Sequence, residues 1–384
     1  MKQETADVYF MKETLALAEM ARGWTGPDPM VAALVVKQGK ILSRGYHDTF
    51  TKPHAETYAL QKIGERAKGG TLYVNLEPCC HWGNNPPCTQ NIIHSGIKRV
   101  VFAMKDPNPL VAGKGYKELR QAGIEVKVGI LKEEALRLNE VFVKYIMTGR
   151  PFVTLKVAMT LDGKIATDEG KSRWITSERA RRYGWQLRAQ SDAILVGSQT
   201  ILKDNPNLTC HGLKVEKPSL SSAHPEYFRT KKILAKDPLR VVLDSRGRVP
   251  LSAKVFDDSE HAVLVTTRKA SKGHLDTFRK KGVQVWVLPL KGGRVDLPRL
   301  MGELGKRQVA SLLMEGGGSL NASAFRAGIV DKVCFFYAPK ILGGEKAPTG
   351  VEGIRSWKLH QALTLQRVAW TDLHPDFLLT GYLR

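Results

Sequence analysis

Apolar residues recur at helical spacing from Ala6 to Arg22, which predicts an amphipathic helix. The run Val31 to Val36, the pair Gln38-Gly39 and the stretch Ile41 to Gly45 then read as strand, turn and strand. A helix is expected to open at His54, a strand to cover Thr71 to Leu76, and a short helix to run from Thr89 to Ser95 with Gly96 closing it. Strand Arg99 to Ala103, helix Lys114 to Gln121 and strand Ile124 to Val128 complete an alternating pattern, and a helix is expected from Lys132 to Met147. Thr148-Gly149-Arg150-Pro151 combines glycine and proline and marks a boundary. Beyond it, Phe152 to Val157, Leu239 to Leu243, Ala262 to Val265, Val283 to Leu288 and Ser311 to Met314 are strand candidates of a second α/β unit. The stretch from Gly212 to Asp237 is rich in Lys, Ser and Pro without periodicity and reads as an exposed loop.

A chain of 384 residues suits two domains of ordinary size, and no apolar run reaches membrane-spanning length. The N-terminal segment is polar with acids throughout, so neither a signal peptide nor a transit peptide is expected there. Lys and Arg number 59 against 37 Asp and Glu, a formal net charge of +22. Such a balance suits either nucleic acid or small anionic substrates. The basic residues are spread along the chain without an aromatic-interleaved stripe, which argues for small anions and against nucleic acid. Three of the five cysteines, Cys79, Cys80 and Cys88, cluster, which fits metal binding in a reducing cytoplasm better than a disulfide framework.

The cluster has a partner in His54-Ala55-Glu56. One imidazole and two thiolates leave a zinc ion one open position for water, and a glutamate that is not a ligand can move the proton; this is the order of residues that hydrolytic deamination of a heterocycle requires. The second cysteine pair is spaced by eight residues rather than two, so a long loop has to return Cys88 to the metal. His54 and Glu56 are expected at the start of one helix and Cys79 at the start of another, where free amides favour a thiolate. A structural zinc closed by Cys80 is the plainer alternative, but side chains adjacent in sequence seldom converge on one metal. In the second half, Glu315-Gly316-Gly317-Gly318 follows a strand and precedes a helix, a placement that suits a pyrophosphate, although a tight strand-helix turn alone would read the same.

Pro53 to Glu56, Leu76 to Cys79, Pro86 to Cys88 and Asp106-Pro107-Asn108-Pro109 to Gly115 together resemble the bifunctional riboflavin-biosynthesis deaminase/reductase family. Leu161 to Lys164, Ser172 to Thr176, Asp192 to Gly197, Asp204 to Thr209, Val241 to Ser245 and Ala338 to Gly344 extend the resemblance over nearly the whole chain. It implies an α/β protein in which a cytidine-deaminase-like αβα domain, residues 1–148, is followed by a dihydrofolate-reductase-like α/β domain, residues 152–384. It also implies zinc on His54, Cys79 and Cys88, with Glu56 as the proton carrier, and deamination of 2,5-diamino-6-(5-phosphoribosylamino)pyrimidin-4(3H)-one in contact with His47, His81, Asp106 and Asn108.

For the second half the resemblance implies reduction of the ribosyl group to ribityl by NADPH. Ala158, Trp174, Thr176, Thr200, Asp204, Ser245, Gly317 and Gly318 would then meet the cofactor. Ser172, Arg188, Leu208, His211 and Glu315 would face substrate, and Lys156 would orient or protonate the sugar oxygen. Three positions depart from the family: Asp28 precedes Pro29 where Asn is usual, Asn84-Asn85 stand where a basic residue and Thr are usual, and His211 replaces Arg. Asn84 brings no charge to a phosphate, which leaves Lys52 or Lys105 as alternative partners. A small phosphorylated pyrimidine is the expected partner, with no nucleic acid and no membrane, and a homo-oligomer is the expected assembly. The competing reading is a tRNA or other nucleic-acid deaminase with an appended binding domain.

Overall fold

The computed structural model describes residues 3–49, 52–83, 85–218, 230–353 and 358–383. The chain divides into two compact units, Met1–Gly149 with Lys214–Leu234, and Arg150–Leu213 with Ala235–Arg384.

In the first unit, β1 (Ala32–Lys37) and β2 (Lys40–Tyr46) form a hairpin whose turn residues Gln38 and Gly39 have φ of 51° and 71°. Positive φ at both turn positions matches the twist of the flanking strands. With β3 (Thr71–Leu76), β4 (Arg99–Met104) and β5 (Glu125–Val128) they make a sheet of order β2-β1-β3-β4-β5, antiparallel in its first two pairings and parallel in the last two. One side carries α1 (Gln3–Glu19) and α5 (Lys132–Leu138); the other carries α2 (Ala55–Gln61), α3 (Cys88–His94) and α4 (Lys114–Gln121) in succession. Met11, Leu34, Val74, Ile92 and Phe102 are buried between these layers. Gly45 lets α2 lie directly on β2, since a Cβ there would come within 2.2 Å of the Ala55 carbonyl oxygen.

The helix expected from Lys132 to Met147 is interrupted at Asn139, where α5 gives way to α6 (Glu140–Thr148). The Asn139 side chain is committed to the backbone of Met30: its Oδ1 accepts from the amide at 2.8 Å and its Nδ2 donates to the carbonyl at 3.1 Å.

The second unit is built on β6 (Phe152–Thr160), followed by α7 (Glu178–Ala189), β7 (Ala193–Gly197) and α8 (Ser198–Asp204). The next strands, β8 (Lys214–Pro218) and β9 (Thr230–Leu234), form an antiparallel hairpin that belongs to the first unit. This corrects the reading of 212–237 as a loop at 214–218 and 230–234, while 219–229 lie outside the described residues. The pattern was hidden because Lys214, Val215, Glu216 and Lys217 carry almost no apolar alternation. The chain returns with β10 (Leu239–Leu243), β11 (Ala262–Thr266), α9 (Lys272–Lys280), β12 (Gln284–Val287), the short pair β13 (Leu290–Lys291) and β14 (Arg294–Val295), α10 (Leu297–Lys306), β15 (Ser311–Met314), α11 (Gly318–Arg326), β16 (Lys332–Ala338), β17 (Gln366–Leu373) and β18 (Asp376–Tyr382).

Among the described residues these strands form one sheet of order β12-β11-β10-β7-β15-β6-β16-β18-β17, parallel from β12 to β16 and antiparallel at β18 and β17. Both faces of its parallel part are covered, as near-continuous apolar strands require. On β7, Leu195 joins one core with Leu155 and Met314, while Ile194 and Val196 join the other with Val242 and Leu264.

Candidate active sites

Each unit gathers one set of the residues singled out above. In the first, α2 begins with His54 at its N-cap and Glu56 in its first turn. Cys79 lies in the loop after β3, and Cys88 is the first residue of α3, so the helix start expected for Cys79 belongs to Cys88 instead. The electrostatic argument carries over to the pair, because the Cys88 backbone amide donates to Cys79 Sγ at 3.4 Å. Hydrogen bonding from Cys88, then from His54, outweighs burial and holds the Cys79 thiol well below the ordinary thiol range. The Cys88 thiol is pushed up by its hydrogen bond with Cys79 and by burial.

His54 Nδ1 stands 3.2 Å from Cys88 Sγ and 3.5 Å from Cys79 Sγ, and the three ligand atoms all lie within 4.8 Å of one another. Tetrahedral zinc with ordinary Zn–N and Zn–S lengths would place such atoms about 3.6 Å apart, so the donor set fits that ion in both chemistry and spacing. Among the described residues this trio of His, Cys and Cys is the cluster suited to a metal, and Cys80 is not part of it.

Glu56 is 3% exposed, and burial raises its carboxyl while the charge of His54 lowers it. A cavity of about 270 Å³ opens over these groups, lined by Asp28, His47, His54, Glu56, Cys79, His81, Asp106 and Asn108, among others. The sequence-derived substrate residues of the first half thus share one cavity, under which Cys88 is fully buried. His47 Nε2 and Asp28 Oδ2 are 3.0 Å apart, and His81 Nδ1 is a buried atom without a hydrogen-bond partner. Asp106 is pushed up to about 6, chiefly by burial. Lys105 is exposed, and Asn84 lies outside the described residues.

Glu77 is a residue to which sequence reasoning gave no role. Its buried carboxylate accepts the amides of Asp106 at 3.2 Å, Gly113 at 3.0 Å and Tyr116 at 2.9 Å, so it holds the Asp106–Gly115 loop against the Cys79 loop. The signal was a carboxylate inside the Leu76-Glu77-Pro78-Cys79 motif. Gly113 has φ of 85°, and a Cβ on Gly115 would come within 2.2 Å of the Pro78 carbonyl oxygen, which gives both glycines of that loop a physical reason.

In the second unit Glu315, at the end of β15, receives Arg188 from α7: Nε to Oε1 is 2.8 Å and Nη2 to Oε2 is 3.0 Å. Lys156 Nζ, from β6, stands 3.6 Å from Glu315 Oε2. Burial raises the Glu315 carboxyl, but the two cations outweigh it and hold the group at about 2. Ser172 Oγ donates to Asp204 Oδ1 at 3.0 Å, and Lys340 Nζ donates to the Trp174 carbonyl at 3.0 Å. The exposed Trp174 ring has the Arg181 guanidinium 4.4 Å from its centre, and Arg181 also donates to the Thr176 carbonyl at 2.8 Å.

Ser245 Oγ accepts the Val295 amide at 3.1 Å. Thr200 is half-buried on α8, and Ala158 is half-buried on β6. His211 is exposed with its ring centre 4.9 Å from that of Trp185. Leu208 corrects its expectation in part: its side chain is 2% exposed and packed in the core, so its backbone, at φ of 60°, is what remains to face a ligand.

The glycines that open α11 fit a pyrophosphate. A Cβ on Gly318 would come within 2.4 Å of the Thr349 carbonyl oxygen, whereas one on Gly317 would meet nothing within 4 Å. The turn is therefore closed on one side and open on the other. Asn321 Oδ1, beside Gly316, is buried without a hydrogen-bond partner.

Both halves of the chain match known proteins. Residues 4–104 match the cytidine and deoxycytidylate deaminase zinc-binding region, and residues 151–379 match the RibD C-terminal domain. The chain is 44% identical over 373 residues to the riboflavin biosynthesis protein RibD of Aquifex aeolicus strain VF5, covering 97% of each chain. It superposes on Acinetobacter baumannii RibD with a TM-score of 0.84 at 33% identity, covering 100% of each chain. A diaminohydroxyphosphoribosylaminopyrimidine deaminase/5-amino-6-(5-phosphoribosylamino)uracil reductase from Thermotoga maritima gives a TM-score of 0.81 at 34% identity over 99% of each chain. The matches over 4–104 and 151–379 favour the pairing of a deaminase with a reductase over the competing reading of a nucleic-acid deaminase with an appended binding domain. A deaminase half that binds zinc, joined to a reductase half that uses NADPH, makes this chain a member of the RibD family, the bifunctional deaminase/reductases of riboflavin biosynthesis.

Proposed function

We propose that residues 1–148 deaminate 2,5-diamino-6-(5-phosphoribosylamino)pyrimidin-4(3H)-one and that residues 152–384 reduce the deaminated product. The observation that carries this reading is the buried Glu56 carboxylate beside the His54, Cys79 and Cys88 ligand atoms in one cavity. Zinc bound there supplies an acidified water. Glu56 would take one proton from that water as its oxygen joins the ring carbon and pass it to a ring nitrogen, then take the second from the new hydroxyl and pass it to the amine, so that ammonia leaves as the carbonyl forms. His47, His81, Asp106 and Asn108 orient the pyrimidine from the cavity wall.

In the second site NADPH supplies the hydride. Arg188 holds Glu315 as a carboxylate, and Glu315 in turn steers the Lys156 ammonium. Lys156 donates its proton to the ring oxygen of the ribosyl group as that ring opens, and the anomeric carbon accepts the hydride. Ser172 and His211 bind the substrate by their side chains and Leu208 by its backbone. Ala158, Trp174, Thr176, Thr200, Asp204, Ser245, Gly317 and Gly318 bind the cofactor.

The chain acts on a small phosphorylated pyrimidine in the cytoplasm, apart from nucleic acid and membrane. Among the described residues no helix is long and apolar enough to cross a bilayer. It works as a homo-oligomer, a reading supported by the exposed Val368 and Trp370 of β17 and Phe377 of β18. Elemental analysis of the purified chain tests the metal assignment: one zinc per chain is expected, lost on Cys88→Ser, and zinc retained in that variant would remove Cys88 from the ligand set.

A further inference from the structure

The hairpin of β8 and β9 contains an anomaly. Lys214 and Glu216 are exposed, as a strand of this composition demands, yet Lys217 is only 7% exposed. An ammonium group leaves water at a steep cost unless a partner of opposite charge or an aromatic face receives it. Lys217 has both. Its Nζ is 2.6 Å from Asp48 Oδ1 and 4.4 Å from the centre of the Trp24 ring. Asp48 Oδ1 also accepts the Tyr46 hydroxyl at 3.2 Å, so the carboxylate is held from two sides.

Both receiving residues lead directly into the wall of the deaminase cavity. Asp48 follows His47, whose amide donates to the Val31 carbonyl at 2.8 Å. Trp24 leads through Thr25 and Gly26 to Pro27, Asp28 and Pro29, all three of which line the cavity, and the Asp28 amide donates to the Thr25 carbonyl at 2.9 Å. Across the cavity wall the two segments meet in the pair of His47 Nε2 and Asp28 Oδ2. Lys217 therefore spans, from behind, the two segments whose side chains make this pair, and it does not line the cavity itself.

We propose that Lys217 is a positioning residue of the deaminase: the β8–β9 hairpin braces the Trp24 and Asp48 segments, fixes the His47–Asp28 wall and so sets affinity for the pyrimidine substrate. The hairpin lies at 214–234 in sequence, within the stretch matched to the RibD C-terminal domain, yet it completes the first unit. A dependence of deamination on this segment is invisible to any reading that assigns function by the linear boundary at 149–151. The inference rests on the deaminase reading of the cavity, which the Glu56→Gln variant tests separately.

The test is Lys217→Met in the full chain, which keeps an apolar stem against Trp24 and removes the cation. The deaminase KM is expected to rise roughly tenfold, the signature of binding lost equally from ground state and transition state. Its kcat should stay within about twofold, with unchanged zinc content and unchanged reductase rates, because no acid, base or metal ligand is touched. Lys217→Arg should recover most of the KM. Asp48→Asn, which keeps the size of the acceptor, should raise KM in the same way, and it decides the matter if Lys217→Met does not fold. An unchanged KM in either folded variant overturns the proposal. So does a joint fall of kcat, zinc content and thermal midpoint, since that would mark Lys217 as a general structural strut.

Discussion

Glu56 combines two properties a proton carrier needs: burial that raises its carboxyl, and a place in the first turn of α2 beside the metal ligand His54. Glu56→Gln should keep its shape and the zinc but lose deamination by roughly 10² to 10⁴ fold, while reduction of the deaminated substrate continues at the original rate. Ammonia release and zinc content, measured on one preparation, check this. Glu315 gives a residue-scale expectation of another kind. Its folded carboxyl lies at about 2, below its ordinary 4.5, so the stabilisation it contributes is fully present above about pH 4.5 and is lost as pH falls toward 2. Glu315→Gln leaves the Arg188 cation without its counter-charge and should cost about 3 kcal/mol near neutrality, as breaking buried pairs does. Urea midpoints of the two proteins should converge as pH falls from 4.5 to 2, and a constant gap over that window would contradict the pairing.

At the scale of elements, the site depends on two loops locked together by Glu77 and Gly115 rather than on any one helix. Gly115→Ala places a methyl against the Pro78 carbonyl and should push the α4 start away from the Cys79 loop, lowering zinc occupancy and deamination together. Full zinc content in that variant would show that the contact can relax. Much of this was legible in the sequence, because His54, Glu56, Cys79 and Cys88 are residue types whose chemistry is read directly from their order. Which cysteine opens a helix was not legible: the eight residues between them are a loop whose path follows from tertiary contacts. The break at Asn139 was equally hidden, since its cause is a pair of hydrogen bonds to Met30, 109 residues away. The hairpin at 214–234 escaped because pairing and a buried ion pair, rather than apolar alternation, shape its strands. The Lys156–Glu315–Arg188 group was nameable by resemblance, but the mutual geometry that gives Glu315 its charge required three strands or helices to be brought together.

At the scale of the whole chain, the path leaves the second unit after Leu213 and rejoins it at Ala235. Division within Thr148 to Pro151 therefore leaves the fragment 1–149 without its hairpin. That fragment should bind zinc and deaminate with a raised KM, and adding residues 214–234 as a peptide should lower it, whereas the fragment 150–384 should retain NADPH-dependent reduction. Equal KM for the fragment and the full chain would argue against the brace. The central claim, that one chain deaminates the pyrimidine and then reduces its ribosyl group, is tested most directly by supplying the undeaminated diaminopyrimidine phosphoriboside with NADPH to Glu56→Gln. Neither ammonia release nor NADPH consumption is expected, and NADPH consumption alone is restored when the deaminated substrate is given. NADPH consumption by Glu56→Gln on the undeaminated compound at the rate of the unaltered protein would contradict it.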